Sequence, residues 1–316
     1  MDQIVVIANP SASQFTGGDH RQVMSLLRKE ANVEPLWPDS PVVAETWAGE
    51  AASSGADVVV AMGGDGLVHH VAQGLVDTGT ALAIIPAGTT NVIARLLGIP
   101  SRPTRAARLI NETLEPISIG TVRMTLNRGA ATTTHHAMFA CGFGLDAAVV
   151  IEADKEPYRK YRFGSLHYAT TALRVVLGDF PRRKPNITID VQDREDLVCA
   201  ALIQFRNVYT YFGSIPVRVS PDHPDPMTVL TVGRMRRRRI PRVLTTLARN
   251  GDLGTIPEWT VARNVKDLKL KADPAVAAQA DGESLGMVDG GHLEWAPDTI
   301  QVIAGQSPIS LPPETP

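Results

Sequence analysis

The sequence predicts an α/β domain on a mostly parallel sheet, followed by a second, mainly antiparallel β domain. Three observations carry this. Short continuous apolar runs near the start, such as Ile4 to Ala8 and Val58 to Met62, end at Gly or at an Asn-Pro pair. Helix-like stretches separate those runs. Beyond about Val122, segments such as Asn186 to Val191 alternate polar and apolar residues instead. Continuous apolar strands suit a parallel sheet covered on both faces, whereas alternation suits antiparallel strands with one wet face. A chain of 316 residues has room for both cores.

In chain order, Ile4 to Ala8 reads as the first buried strand and His20 to Ala31 as an amphipathic helix. Val42 to Ser54 follows as a helix with Ala44, Trp47, Ala48 and Ala51 on one face. Val58 to Met62 is a strand ending at Gly63-Gly64, and Val68 to Leu75 a helix. Ala81 to Ile85 is a strand ending at Pro86. In the second half, strands are expected at His136 to Ala140, Val198 to Phe205, Met227 to Val232, Lys266 to Lys271 and His292 to Trp295. Helices are expected near Leu166 to Leu177 and Pro241 to Asn250.

Composition excludes several classes. Hydrophobic residues at 44% and charged residues at 20% describe a globular chain, not a disordered one. A net charge of −2 argues against a protein that coats nucleic acid. Cys141 and Cys199 lie among apolar or small residues and read as buried thiols of a reducing compartment. No basic leader and apolar stretch precede the first strand, and no apolar run reaches the ~18 residues of a membrane span. The expectation is a cytoplasmic protein whose membrane contact, if any, is peripheral.

The chemistry concentrates in three short segments. Met62-Gly63-Gly64-Asp65-Gly66 joins a buried strand to a helix. Glycines there let backbone approach a polyphosphate, and free amides at the next helix N-terminus bind the anion. Asp65 would then hold Mg²⁺; an ordinary turn with an Asp cap gives the same local pattern. Pro86-Ala87-Gly88-Thr89-Thr90-Asn91 also follows a buried strand and opens a helix, with Arg95 in the following turn. Thr89 and Asn91 could bond phosphate or base, or cap the helix, and Arg95 could neutralise charge or make a surface ion pair. Loops at the carboxyl ends of strands in one sheet can meet over its edge, where open α/β sheets bind ligands. Asp281-Gly282-Glu283 lies late in the β domain and could place Glu283 as a base, or form a solvated hairpin turn.

In this order and spacing, GGDG, PAGTTNVIARLLGIP and DGE make the chain resemble the diacylglycerol kinase catalytic family. Sphingosine kinases are more distant relatives, as are NAD kinases and phosphofructokinases through GGDG. Asn9-Pro10, Phe143-Gly144-Leu145-Asp146, Phe163 to Tyr168, and Arg206-Asn207 ahead of Tyr211-Phe212-Gly213 extend the likeness along the chain. The resemblance implies an ATP-binding α/β domain at residues 1–121 and a β-sandwich at 122–297 that takes the lipid. A final strand at about 298–316 would return to the first domain, with the active site in the cleft. It further implies that Asn9, Pro10, Ser40, Gly63, Gly64, Asp65, Gly66, Gly88, Thr89, Asn91 and Arg95 hold ATP and Mg²⁺. Asp65 and Asp225 would bind metal. Glu283, with Asp65 and Asp281, would carry the catalysis, Glu283 taking the proton from the hydroxyl of diacylglycerol or a similar lipid alcohol. The alternative is a non-catalytic lipid or nucleotide binder on the same fold.

Several positions depart from the family pattern. Leu67 stands where GGDGT has a threonine, His69-His70 replaces an Asn-Glu pair, and Val92 replaces a carboxylate. Gln14 and Ser118 stand for a lysine and an aspartate, and the loop around Asp225 is short, with Pro226 in place of glycine. An NAD kinase would show an Asn-Glu motif in its substrate loop, whereas Asn111-Glu112 sits at a helix end. The arginines at 234, 236–239 and 242 could attract anionic headgroups at a membrane surface or form a solvated corner. A second basic tract runs from Arg159 to Arg162.

Overall fold

The computed structural model describes residues 2–113, 115–145, 147, 184–212, 215–218, 226–234, 236–249 and 251–305. The helix expected near Leu166 to Leu177, the Arg159 tract, the segment Phe163 to Tyr168 and Asp225 lie outside these residues. The chain divides into two compact units. One comprises Met1–Thr121 with Ala296–Pro313, and the other Val122–Trp295 with Glu314–Pro316.

The first unit is built on four parallel strands, β1 (Gln3–Ala8), β2 (Asn32–Leu36), β3 (Val58–Gly63) and β4 (Ala81–Pro86), in the order β4-β3-β1-β2. Ile4 pairs with Val33 on one side and Val58 on the other, and Val59 pairs with Leu82. β1, β3 and β4 are nearly continuous buried apolar runs, as the sequence pattern requires. β2 has no such run. It is the edge strand, and there Pro35, which lacks an N–H, costs no ladder bond on its open side. That proline and the polar residues around Val33 hide the strand from a reading by periodicity.

Helices α1 (Gly17–Leu27), α2 (Pro41–Ser53), α3 (Asp65–Leu75), α4 (Val92–Leu96) and α5 (Pro103–Glu112) form the connections. α1 starts three residues before the expected point. Thr16 caps it by accepting from the Asp19 N–H at 3.0 Å, and its hydroxyl donates to the Asp19 carboxylate at 2.5 Å. It ends at Leu27, because the chain must turn for Asn32 to donate to the Asp2 carbonyl at 2.9 Å and open β2. α2 and α3 cross closely at Gly74, where a Cβ would stand 2.3 Å from the Glu45 carbonyl oxygen.

Asp57, just before β3, accepts from the backbone N–H groups of Gln3 and Asp2, and these bonds hold its carboxyl below the ordinary value of 3.8. A depressed folded-state value adds stability above the unfolded value, and this is lost as pH falls through the folded value. Asp57→Asn is therefore expected to lower the thermal midpoint at pH 7. Melting curves of the two proteins should converge as pH falls below 3.8 and through the folded value.

The second unit contains β5 (Ile117–Arg128, entering from the first unit), β6 (Ala131–Ala137), β7 (Ala140–Phe143), β8 (Ile187–Val191), β9 (Arg194–Val198) and β10 (Ala200–Gln204). It continues with β11 (Thr210–Phe212), β12 (Ile215–Val217), β13 (Thr228–Val232), β14 (Trp259–Ala262), β15 (Asp267–Ala280) and β16 (Glu283–Val302). The path β14-β13-β10-β7-β15-β16 is antiparallel at every step. The strand expected at Val198 to Phe205 is β10 for most of its length, and its first residue, Val198, instead ends a separate strand, β9. The two strands part at Cys199, whose N–H donates to Val232 at 2.7 Å. Conversely, the strand expected at His292 to Trp295 and the start of the final strand expected at about 298–316 fall within one 20-residue strand, β16. Phe143, Phe205, Ile189, Val229, Leu268 and Leu293 lie in the core of this unit. Both cysteines are buried, and no disulfide joins them.

β16 ends beside β4 with Val302 paired in parallel to Leu82. The Ile303 N–H then donates to Leu82 at 2.9 Å and the Gly305 N–H to Leu97 at 2.8 Å. A last helix, α6 (Ile240–Ala248), follows a 3-10 turn at Arg237–Arg239.

Candidate active site

The loops after β1, β3 and β4 converge at the carboxyl edge of the parallel sheet. The Asn9 N–H donates to the Met62 carbonyl at 3.0 Å, and its Oδ1 accepts from the Ser11 N–H at 2.9 Å, which turns the chain after β1. The same loop reaches the loop after β4. The Gln14 N–H donates to Ala87 at 2.8 Å, and the hydroxyls of Ser13 and Thr89 share a hydrogen bond of 2.9 Å. Pro10 and Thr89 are exposed on this rim.

The two glycine corners touch each other. The Ala87 N–H donates to Gly63 at 2.8 Å. A Cβ on Gly88 would lie 2.6 Å from the Gly64 Cα and 2.9 Å from Asn91 Oδ1. No side chain larger than hydrogen fits at that approach. Asn91 sits at φ +50°, and its amide group grips the loop, with Oδ1 accepting from the Gly88 N–H (3.0 Å) and Nδ2 donating to the Gly88 carbonyl (2.7 Å). Asn91 thus shapes the corner, and its side chain does not cap α4.

α4 is capped from elsewhere. Asp65 Oδ1 accepts from the Ile93 N–H at 3.2 Å, so the carboxylate at the start of α3 steadies the start of α4. Gly64, the N-cap of α3, brings no side chain, so the first-turn amides of α3 have no such cap. Gly66 lies in that first turn. Leu67, the departure from the usual threonine, folds back over Gly63, where a Cβ would meet its Cδ2 at 2.7 Å. Val92 is buried, and Arg95 lies half-buried in the last turn of α4. Ser40 begins α2 on the neighbouring β2 loop without making a side-chain cap, and no bond joins it to the glycine corners among those described.

A bound nucleotide's phosphates suit this corner, which combines uncapped helix amides with a backbone approach that excludes Cβ atoms. For Mg²⁺ the fit is to one carboxylate, Asp65, completed by phosphate and water oxygens. Among the described residues no group of three or more His, Cys, Asp or Glu could hold a metal. His69 and His70 stack edge-on at 5.2 Å, and His70 Nδ1 lies 3.7 Å from Glu45.

In the second unit, Asp281 and Gly282 form the two-residue turn between β15 and β16, at φ +53° and +84°. Both positive values suit a type I′ hairpin, and Ala280 pairs with Glu283 across it. Asp281 is 3% exposed. Its carboxylate accepts from the N–H groups of Met138 (2.8 Å), Phe139 (2.9 Å) and Ala140 (3.3 Å). Its geometry is therefore that of an anchor for the turn. Glu283, the next residue but one, is half-buried.

Residues to which sequence reading assigned no role at the site surround this turn. Arg206 is 5% exposed, with its guanidinium 5.7 Å from the Phe205 and Trp295 ring centres. Burial pushes its pKa down to about 10, while the Asp281 carboxylate acts in the opposite sense. Gln279 Oε1 accepts from the Gly282 N–H at 2.9 Å, and its Nε2 donates to the Tyr209 hydroxyl at 3.2 Å. The available signal was a polar or charged residue at the end of an apolar strand, but many solvated strand ends look the same.

Comparison with known proteins places this arrangement. The family described as Diacylglycerol kinase catalytic domain matches residues 3–122. A Pseudomonas aeruginosa (strain UCBPP-PA14) protein named "Probable lipid kinase YegS-like" is 40% identical over 106 residues, covering 33% of this chain and 34% of that protein. This chain thus spans about a third of the length of that relative. A protein of Mycobacterium tuberculosis (strain CDC 1551 / Oshkosh) named "Diacylglycerol kinase" is 26% identical over 238 residues, covering 74% and 72% of the two chains. Among solved structures, a diacylglycerol kinase from Bacillus anthracis str. Sterne superposes with a TM-score of 0.72 at 20% identity, covering 96% of this chain and 98% of that one. That likeness establishes the shared fold, a mostly parallel α/β sheet with an antiparallel strand domain. The stretch that matches the diacylglycerol kinase catalytic domain family, residues 3–122, contains both glycine corners.

Proposed function

We propose that the protein is a lipid kinase that transfers the γ-phosphate of ATP to the hydroxyl of diacylglycerol or a similar lipid alcohol. The observation that carries this reading is the contact of the two glycine corners, Gly64 against Gly88, inside the segment that matches the kinase family. In this reading the first unit, residues 1–121 with the returning strand from about 298, binds the nucleotide. Amides at the start of α3, with Thr89 and Arg95, hold its phosphates, and Asp65 holds Mg²⁺, which spreads charge on the transferring group. Asn9, Pro10 and Ser40 border the nucleotide. Residues 122–297 take the lipid. Glu283 accepts the hydroxyl proton, the lipid oxygen forms a bond to the γ-phosphorus, and the bond to the β–γ bridging oxygen breaks to release ADP. Asp281 fixes the turn that carries Glu283. The second metal expected at Asp225 is not part of this mechanism.

The test is incubation with γ-labelled ATP and a panel of lipid alcohols in mixed micelles. Label is expected in the organic phase with at least one of them. Nucleotide binding without transfer to any lipid would favour the non-catalytic binder.

A peripheral membrane location belongs to the same reading. No described helix is long and apolar enough to cross a membrane. Arg237 and Arg238 are exposed ahead of α6, whose Leu244 is 48% exposed. Arg236 pairs with Glu258 at 2.9 Å and Arg242 donates to the Thr255 carbonyl at 3.0 Å, so these two are partly engaged. At about 1 kcal/mol for each arginine near an anionic surface, replacing Arg237 and Arg238 with serine is expected to weaken vesicle binding roughly 10- to 30-fold. Sedimentation with anionic and zwitterionic vesicles measures it, and equal binding by both proteins would discard this location for the patch.

A further inference from the structure

The segment that follows β10 is tied to the Asp281-Gly282 turn at two places, and neither tie contributes to the core by apolar contact. The first runs through charge. Arg206 is buried beside Phe205 and Trp295, interacts with the Asp281 carboxylate, and has its own carbonyl held by Gln204 Nε2 at 2.8 Å. The second is a hydrogen-bond relay, with Gln279 standing between the Tyr209 hydroxyl and the Gly282 N–H. Gln204 and Gln279 are at most 3% exposed, and Tyr209 is buried. Buried polar groups in such numbers oppose folding unless each finds a partner, so their clustering at one end of the sheet calls for a reason. The two ties meet on the only two residues that separate β15 from Glu283.

We infer that Tyr209 and Arg206 are positioning residues for Glu283, acting through Gln279 and Asp281 on the turn that aims its carboxylate. This rests on the reading of Glu283 as the base. A carboxylate at the first position of a strand after a two-residue turn inherits every rotation of that turn. Two ties from one segment to the turn remove that freedom. Tyr209 also starts the segment that enters β11, and its own N–H donates to the Val217 carbonyl at 2.9 Å in β12. The relay therefore couples the β11–β12 hairpin to the base.

Tyr209→Phe removes one hydroxyl and keeps the ring, and it is the cleanest probe. Its expected effect is a fall in kcat of about 10-fold, from a misaligned base, with KM for ATP and the thermal midpoint nearly unchanged. The decisive comparison places Tyr209→Phe both on the natural sequence and on Glu283→Gln. If Tyr209 works through Glu283, the second loss should shrink to less than about twofold, because the group being aimed is already gone. Arg206→Lys should retain more kcat than Arg206→Met, since only the former keeps a cation beside Asp281. Equal losses from Tyr209→Phe on both backgrounds would overturn the inference, as would an unchanged kcat on the natural sequence. Full activity of Glu283→Gln alone would instead remove the reading on which the inference stands.

Discussion

Glu283→Gln is expected to leave ATP affinity nearly unchanged and to lower turnover by roughly 10²-fold or more. Glutamine keeps the shape and the hydrogen-bonding reach of the side chain but cannot take a proton from an alcohol. The hairpin should tolerate it. Ala280 and residue 283 pair through backbone, and the turn is held by Asp281 and Gln279. Loss of activity with an unchanged melting curve would thus separate chemistry from folding. The measurement is kcat in the lipid assay beside calorimetric titration of ATP. Full activity would remove Glu283 from the reaction.

The second large effect is expected at Gly88. Gly88→Ala would place a methyl group 2.6 Å from the Gly64 Cα, and both neighbours in that contact are backbone or a side chain already bonded to the loop. Unlike a clash with a flexible side chain, this one is relieved only by moving the two corners apart. Overpacking of this kind costs about 1–3 kcal/mol in stability. The functional loss should be larger in proportion, because the amides proposed to hold the phosphates move with the corner. An ATP affinity lowered by about 10-fold or more is the expected result by titration. Wild-type affinity in this variant would mean that the corner is not the nucleotide site.

The fold was legible where residues repeat a physical pattern. The buried runs of β1, β3 and β4 could be read because a parallel strand covered on both faces must be apolar throughout. The edge strand β2 could not, because it buries little and contains Pro35. The break at Cys199 and the length of β16 escaped for a different reason. Both depend on which partner each residue meets, and periodicity carries no information about that. At the site, the glycine corners were legible as motifs, and their contact follows from the adjacency of β3 and β4. The part played by Asp65 in capping α4 was not legible, since the bond to Ile93 spans 28 residues. Nor was the enclosure of Asp281. A DGE triplet reads equally as a solvated turn, and only the three amides of residues 138–140 distinguish the two. Gln279 became visible through burial alone, and burial gave Arg206, noted before only as part of the family likeness, its place beside the turn.

Amide hydrogen exchange with and without ATP and Mg²⁺ bears most directly on the phosphate corner from which the kinase reading starts. Exchange is predicted to slow together at residues 63–67 and 88–92, where the first-turn amides of α3 and the Gly88 loop would face the phosphates. Unaltered exchange in both stretches, at nucleotide concentrations that saturate the protein, would contradict the account.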